Sequence, residues 1–313
     1  MIGLPLQDVE NALISSTNLA YTVMYYIKHL TAHLFAISLL LTSNTVVADA
    51  ENGLTLGIHP YLHATTLVER FTPLTEYLSK TTGKHIHIRV GTSYQDHIDA
   101  VNQGEVDFAY FGPAGYIKAT ELNENIVPLG RLSFAGRDTF RGVITIRRDS
   151  KITSLSELKG KSFAFGDPNS TLSNLVPQRL LNDVGIDLTD LDSYSHLKNH
   201  HNVALAVLMG KYHAGGIKEE VFREYEARGL KALKWTPDVP THIFVAGPTT
   251  KRELIDELIP LLQNLHKQSG AALILNKIKK GATAIIPATS QEYDKLRALI
   301  SDRPLLEQRK TAP

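Results

Sequence analysis

The sequence contains no cysteine among its 313 residues. This excludes disulfide bonds, thiolate nucleophiles, cysteine-ligated zinc and a lipid-anchored N-terminal cysteine, and it fits either redox compartment. An excess of one charge is also lacking, because 33 basic and 32 acidic residues leave a formal net charge of +1. A chain this close to neutral gives no electrostatic reason to expect a nucleic-acid partner.

Long apolar runs, internal repeats and low-complexity segments are lacking too. The stretch Leu34–Leu41 is apolar apart from one serine, but it is much shorter than the roughly 20 residues of a membrane span. Lys28 precedes it, and Ala48-Asp49-Ala50 follows as a small-x-small signature. This arrangement predicts that residues 1–50 are a secretory signal peptide with an upstream extension, starting at Met24 and cleaved after Ala50. An uncleaved membrane anchor is the alternative.

From Leu54 onward, short apolar segments alternate with longer amphipathic ones. The predicted strands are 54–58, 85–90, 106–111, 127–134, 142–148, 162–165, 231–235 and 243–246, with a further short segment at 214–217. The predicted helices are 66–80, 94–102, 113–122, 172–184, 202–209, 218–228, 253–266, 271–278 and 291–300, and one that starts at the capping box Ser154–Glu157. This alternation predicts an α/β fold with mostly parallel sheets covered on both faces.

A length of 313 residues with 43% hydrophobic content favours two lobes over one. We expect 51–141 to begin the first lobe, 142–242 to form the second, and 243–313 to return to the first. The strands at 142–148 and 243–246 are the predicted crossings. The last residues, 309–313, are expected to be loose.

One polar stretch, Gly166–Pro177, follows a buried strand and leads into a helix. The first backbone N–H groups of a helix have no internal partner and carry partial positive charge, so this geometry suits an anion. Ser170, Thr171 and Ser173 add hydroxyl donors. Helix capping alone is the simpler alternative.

Two other polar turns also follow predicted strands. They are His59-Pro60-Tyr61 and Tyr110-Phe111-Gly112-Pro113. Because ligands of open α/β sheets bind at the carboxyl ends of strands, the three turns together favour a ligand cleft between the lobes. Tyr61 is a candidate rim contact.

These motifs resemble the periplasmic solute-binding proteins of phosphate, phosphite and phosphonate uptake systems. The resemblance rests on Gly166–Thr171 with Leu175-Val176-Pro177, on Tyr110–Pro113, and on His200 ahead of an apolar helix. It covers essentially the whole chain after the signal segment. It implies a two-lobed Venus-flytrap fold of the type II periplasmic-binding-protein kind.

The resemblance also implies ligand-binding residues. The oxyanion-binding hydroxyls fall on Ser170 and Thr171, while the usual third serine and glycine read Leu172 and Ser173. The remaining matches are a pocket tyrosine at Tyr94, an aromatic at Phe111 beside Tyr110, and a phosphonate-contacting histidine at His200.

Aminophosphonate binders of this family hold the ligand's amine with two acids. One of these positions matches Glu219 and the other reads His242, with Lys218 adding positive charge. A ligand without an amine is therefore favoured: phosphate, phosphite or an alkylphosphonate.

The sequence thus predicts a periplasmic, monomeric binding protein without cofactor, metal or catalysis, which captures a small oxyanion for an ABC permease. A sensor that docks on a membrane histidine kinase is the alternative partner. An enzyme on the same fold would have to use Ser170 with His200 as a dyad. A metal site would have to use His85 and His87, and no third ligand is spaced to complete it.

Overall fold

The computed structural model describes residues 53–301. The predicted signal segment 1–50, its start and its cleavage site, and the predicted loose end 309–313 lie outside the described residues. Within the described range, no helix has the length and apolar character needed to cross a membrane.

The described strands largely follow the predicted ones. They are β1 Leu54–Ile58, β2 Ile86–Val90, β3 Phe108–Phe111, β4 Val127–Ser133, β5 Thr139–Phe140, β6 Gly142–Arg147, β7 Ser162–Phe165, β8 Ser193–His196, β9 Ala214–Lys218, β10 Leu230–Trp235, β11 Val239–Pro240, β12 Ile243–Ala246 and β13 Ala284–Ile286. The α-helices are α1 Ala64–Thr82, α2 Tyr94–Asn102, α3 Pro113–Leu122, α4 Val176–Asn182, α5 His200–Leu208, α6 Glu219–Glu226, α7 Arg252–Gln263, α8 Ala271–Ile278 and α9 Asp294–Ser301. A π-helix, Thr171–Leu175, leads directly into α4.

The first lobe is built on a six-stranded sheet in the order β13-β4-β12-β3-β1-β2. Strand β1 runs parallel to β2 and β3, whereas β12 runs antiparallel to β3 and β4. All four residues of β3 are buried, as expected for a central strand covered on both faces. Helix α1 places Leu67, Phe71, Leu74 and Leu78 against this sheet.

The second lobe is built on a five-stranded sheet in the order β10-β6-β9-β7-β8. Strand β7 runs parallel to β8 and β9, and β6 runs antiparallel to β9 and β10. The predicted α/β, two-lobed fold is confirmed.

The chain crosses between the sheets through two short strands that the sequence did not predict. Strands β5 and β11 pair antiparallel, with Val239 opposite Phe140. Buried Arg131 at the end of β4 holds this region, because its guanidinium donates to Asp138 at 2.7 Å and to Glu292 at 2.6 Å. The two crossings between the sheets therefore lie at β5 and β11, which precede β6 and β12 in the sequence.

One predicted element differs from the structure, and two strands of the main sheets were not predicted. The helix expected at Ser154 is a single 3₁₀ turn, Ser156–Leu158, because Ser154 and Thr153 direct their hydroxyls to the Glu157 side chain instead of capping backbone N–H groups. Strands β8 and β13 were missed; β8 is mostly exposed and polar at the sheet edge, so it lacks the apolar pattern of a strand.

The C-terminal helices contact both lobes. Helix α7 contacts β4 and α8 contacts α1, whereas α9 contacts both α3 and α4. The Arg179 guanidinium donates to the Leu299 carbonyl. Helix α9 is thus a third connection between the lobes.

Candidate ligand-binding site

The site lies where strand ends of the two sheets face each other. Strands β1 and β3 of the first lobe, and β7 and β9 of the second, all end at the cleft. The segments that follow them line a small cavity of about 20 Å³. Its wall consists of His59, Tyr61, Tyr94, Gly112, Pro113, Phe140, Ser170, Thr171, Leu172, His200, Lys218 and His242.

The start of the π-helix supplies the hydroxyl groups on one side of the cavity, those of Ser170 and Thr171. The Ser170 carbonyl accepts hydrogen bonds from the backbone N–H groups of Asn174 and Leu175. The N–H groups of the residues between Ser170 and Asn174 therefore lie in the first turn, where no helical carbonyl precedes them. Tight packing fixes the turn that precedes it: a Cβ on Gly166 would lie 2.5 Å from Ser173 Oγ. π-helical turns are frequent at functional sites because they re-aim side chains.

Contacts across the cleft hold the two lobes together beside this turn. Thr171 Oγ1 accepts the backbone N–H of Ala114, in the first turn of α3, at 2.9 Å. Tyr94 of the first lobe and Ser170 of the second both line the cavity. Lys118 Nζ donates to Asn169 Oδ1 at 3.0 Å. Since Thr171 Oγ1 already accepts, its own proton remains available for an anion in the cavity.

His200 supplies a second donor, and its tautomer follows from its surroundings. The backbone N–H of Lys218 donates to His200 Nδ1 at 3.1 Å, so in the neutral ring the proton is on Nε2. Burial lowers the pKa of His200 well below its usual value, and the charge of Lys218 lowers it further. A neutral imidazole with its Nε2–H available is a hydrogen-bond donor to an oxyanion.

Two buried lysines give the cavity its positive charge. Lys218 lies 3.0 Å from Glu220 and faces the Tyr61 ring. Lys279 lies behind the wall, 3.4 Å from His242 Nδ1. Burial, aided by the charge of Lys218, lowers the pKa of Lys279 to about 7. A bound anion would compensate these charges.

The structure brings seven of the eleven predicted site residues to the cavity wall and leaves four away from it. On the wall are Ser170, Thr171, Tyr94, His200, Lys218, His242 and Tyr61. The four away from it are Ser173, Tyr110, Phe111 and Glu219.

Each of the four is turned to another partner. Ser173 Oγ donates to the Gly216 carbonyl at 2.5 Å. Tyr110 is fully buried behind the wall, stacked on His242. Phe111 packs into the core against His97. Glu219 faces outward and forms ion pairs with Arg141 and Arg223.

The sequence interpretation missed five wall residues. His59, Gly112 and Pro113 lie in turns that it flagged, and Leu172 lies next to residues that it chose. Phe140 comes from the two-residue strand β5, which carries no periodic signal. As for metals, no group of three or more His, Cys, Asp or Glu side chains within residues 53–301 is arranged to hold an ion.

The comparisons with known proteins agree with this architecture. The family model of the phosphonate ABC transporter periplasmic substrate-binding protein matches residues 56–293. The chain therefore belongs to this family of transport proteins, as its motifs predicted. Its members are substrate-binding components rather than enzymes.

Two curated relatives carry ligand names. The phosphate-import protein PhnD of Mycolicibacterium smegmatis is 25% identical over 270 residues, which is 78% of this chain and 84% of that protein. The probable ABC transporter phosphite binding protein PhnD1 of Prochlorococcus marinus is 22% identical over 265 residues, or 79% and 88% of the two chains. The solved structure of PhnD1 from Prochlorococcus marinus in complex with methylphosphonate shares the fold, with a TM-score of 0.72 at 21% identity, covering 79% of this chain and 97% of that one.

Proposed function

We propose that this protein captures a small phosphorus oxyanion between its lobes and delivers it to an ABC importer. The observation that carries the proposal is the convergence of the Ser170 and Thr171 hydroxyls, the His200 Nε2–H and the Lys218 ammonium on one cavity. The names of its relatives, which refer to phosphate, phosphite and phosphonate, support the same class of ligand.

The wall favours a ligand without an amine. Of the residues that the structure describes, no carboxylate lines the cavity. Glu219 is engaged by two arginines and Glu220 by Lys218. An ammonium group would meet Lys218 and neutral histidines with no opposite charge, and burying an unpaired charge is costly.

The hydrogen-bond donors of the cavity can together account for micromolar binding of an oxyanion. A hydrogen bond to a charged group contributes about 1.5–3 kcal/mol. A micromolar dissociation constant needs roughly 8 kcal/mol net, after the cost of immobilising the ligand. Four or five such bonds from the hydroxyls, His200, Lys218 and the helix N–H groups reach that range.

The histidine tautomer argues against catalysis by the same pocket. A Ser170–His200 dyad would require a lone pair on the His200 nitrogen that faces the cavity. Because Nδ1 accepts from Lys218 N–H, the cavity-facing Nε2 carries a proton and cannot take one from serine. Binding without chemistry is the function that this arrangement supports.

The proposal also includes the location, export, lobe boundaries and partner of the protein. The protein is a periplasmic monomer, exported by the signal segment 1–50. Its first lobe comprises 51–141 and 243–313, and its second comprises 142–242. A sensor kinase in place of the permease would use the same closed cleft, and the gene neighbourhood distinguishes the two partners.

A thermal-shift panel tests the ligand class. We expect phosphate, phosphite and methylphosphonate to raise the melting temperature of the purified protein, because a ligand at a hundredfold excess over its dissociation constant stabilises by about 2.7 kcal/mol. Aminoethylphosphonate should give a smaller shift, and sulfate little or none. If none of the phosphorus oxyanions shifts the melting temperature, the proposed function is refuted.

A further inference from the structure

His59 differs from the donors of the cavity wall, because its environment makes it an acceptor. Its Nδ1 lies 3.0 Å from the Tyr110 carbonyl oxygen. A carbonyl can only accept, so Nδ1 carries the proton and donates it. In the neutral ring, Nε2 then presents a lone pair. Only 2% of the His59 surface is exposed, so this lone pair is shielded from bulk water.

The Nε2 atom of His59 faces the cavity. It lies on the side of Gly112, 3.5 Å from where a Cβ of that glycine would be, and both residues line the cavity wall. Among residues 53–301, no side chain or backbone group makes a hydrogen bond with this atom. A buried acceptor is therefore directed at the place where the oxyanion is proposed to bind, and it favours a ligand that brings a proton.

The surroundings keep this ring neutral. Burial lowers the pKa of His59 to about 3; the Tyr110 hydrogen bond opposes this, whereas the charges of Lys279 and Lys218 add to it. The titratable rings packed against it are Tyr61 of the same turn and Tyr94, His97, Tyr110 and His242 of other elements. Those tyrosines have pKa values raised by burial, and the two histidines have pKa values lowered by burial. No neighbour therefore converts His59 to a donor near neutral pH.

We propose that His59 is a specificity-determining residue that selects oxyanions carrying an acidic O–H group and rejects those that lack one. This inference rests on the proposed function. The monoanions of phosphite and methylphosphonate each carry one O–H, and phosphate retains one even as the dianion. Sulfate and alkylsulfonates have none. In their complexes the His59 lone pair would face an unprotonated oxygen, which leaves a buried acceptor unsatisfied.

The sharpest test compares methylphosphonate with methanesulfonate, because the monoanions share charge and shape and differ by one oxygen-bound proton. Calorimetric titration of the protein at about pH 6.5 should show methylphosphonate binding about ten- to a hundredfold more tightly, the expected effect of one buried acceptor. Above its second ionisation, methylphosphonate should lose about tenfold in affinity per pH unit, whereas phosphate should lose less. Equal binding of the two monoanions would overturn the proposal.

The substitution His59→Gln tests the residue itself. Its amide can turn to donate or accept, so we expect the preference for methylphosphonate over methanesulfonate to fall to within about threefold. His200→Gln is the matched control, because the Nε2 atom of His200 is fixed as a hydrogen-bond donor. It should weaken both ligands by similar factors and keep the preference. Loss of the preference in His200→Gln, or its retention in a folded His59→Gln, contradicts the assignment.

A measurement on the unmodified protein keeps the proposal testable if His59→Gln does not fold. Titrations at about pH 8.5 in buffers of different ionisation enthalpy count the protons taken up on binding. Methylphosphonate should take up close to one proton more than methanesulfonate, and no difference would overturn the role of His59. If neither methylphosphonate nor phosphate binds at all, the proposed function fails instead.

Discussion

Replacing Ser170 and Thr171 together by alanine is expected to weaken phosphate and methylphosphonate binding by about a hundredfold or more. Each hydroxyl is positioned to donate to a charged oxygen, a bond that contributes about 1.5–3 kcal/mol. Thr171 also joins the lobes, because its Oγ1 accepts from Ala114 N–H. Calorimetric titration measures the loss, and far-ultraviolet circular dichroism verifies that the fold is intact.

Ser173→Ala is the matched control, because Ser173 lies in the same π-helix but is turned away from the cavity. Its hydroxyl donates to the buried Gly216 carbonyl at 2.5 Å. Its removal should therefore reduce the free energy of unfolding by about 1–3 kcal/mol and leave affinity within about threefold. If Ser173→Ala weakens binding as much as the double substitution, the assignment of the hydroxyls is wrong.

Residues Ser170 and Thr171 were within reach of sequence analysis because a physical rule places them. A buried strand, Ser162–Phe165, runs directly into polar residues that open a helix, and parallel strands end on the ligand side of a sheet. The rule locates the turn, but it does not say which side chain of the turn points inward. At His59-Pro60-Tyr61 the sequence interpretation chose the tyrosine, and the cavity has both rings.

The complete burial of β3 made the strand easy to predict, but it left no alternating pattern from which to predict the direction of each side chain. A strand buried on both faces shows no polar face, so the sequence did not reveal whether the Tyr110 or Phe111 side chain faces the ligand. In the structure, both aromatic rings pack into the two cores, and only the glycine and the proline after it line the cavity. The same limit applies at Lys218 and Glu219, where a strand becomes a helix and adjacent side chains diverge.

Local sequence patterns could not predict the residues that reach the cavity from distant parts of the chain. Phe140 reaches the cavity from a crossover strand whose only pairing is with β11. Lys279 follows α8, and the buried charge that it places behind His242 has no signature in its neighbourhood. Such residues are positioned by tertiary packing, and a resemblance based on motifs does not include them.

Acidification from about pH 7 to about pH 5 is expected to destabilise the ligand-free protein by several kcal/mol. Among the described residues, four histidines are buried: His59, His97, His200 and His242. Burial is the main cause that lowers the pKa of each, to about 3 for His59 and well below the usual value for the others.

The sign follows from which state binds protons. Below about pH 6.5 the unfolded histidines become charged while the folded ones remain neutral, so the free energy of unfolding falls by about 1.4 kcal/mol per histidine and pH unit. At about pH 5 the four together reach an upper limit of about 8 kcal/mol, comparable with the whole stability of many domains. Asp167 offsets a part, because burial raises its pKa and the folded state takes up its proton more readily.

Urea denaturation at a series of pH values measures this dependence, and two substitutions assign it. His97→Phe replaces a buried histidine that packs on Phe111 outside the cavity wall, and it should flatten the pH dependence by about a quarter. His87→Gln changes an exposed histidine and should leave it unaltered. A stability that is constant between about pH 7 and about pH 5 would mean that the buried histidines take up protons in the folded state as readily as in the unfolded state. His59 would then lose its lone pair as the pH falls through this range, so the same titration also tests whether that lone pair is present at the pH of the binding experiments.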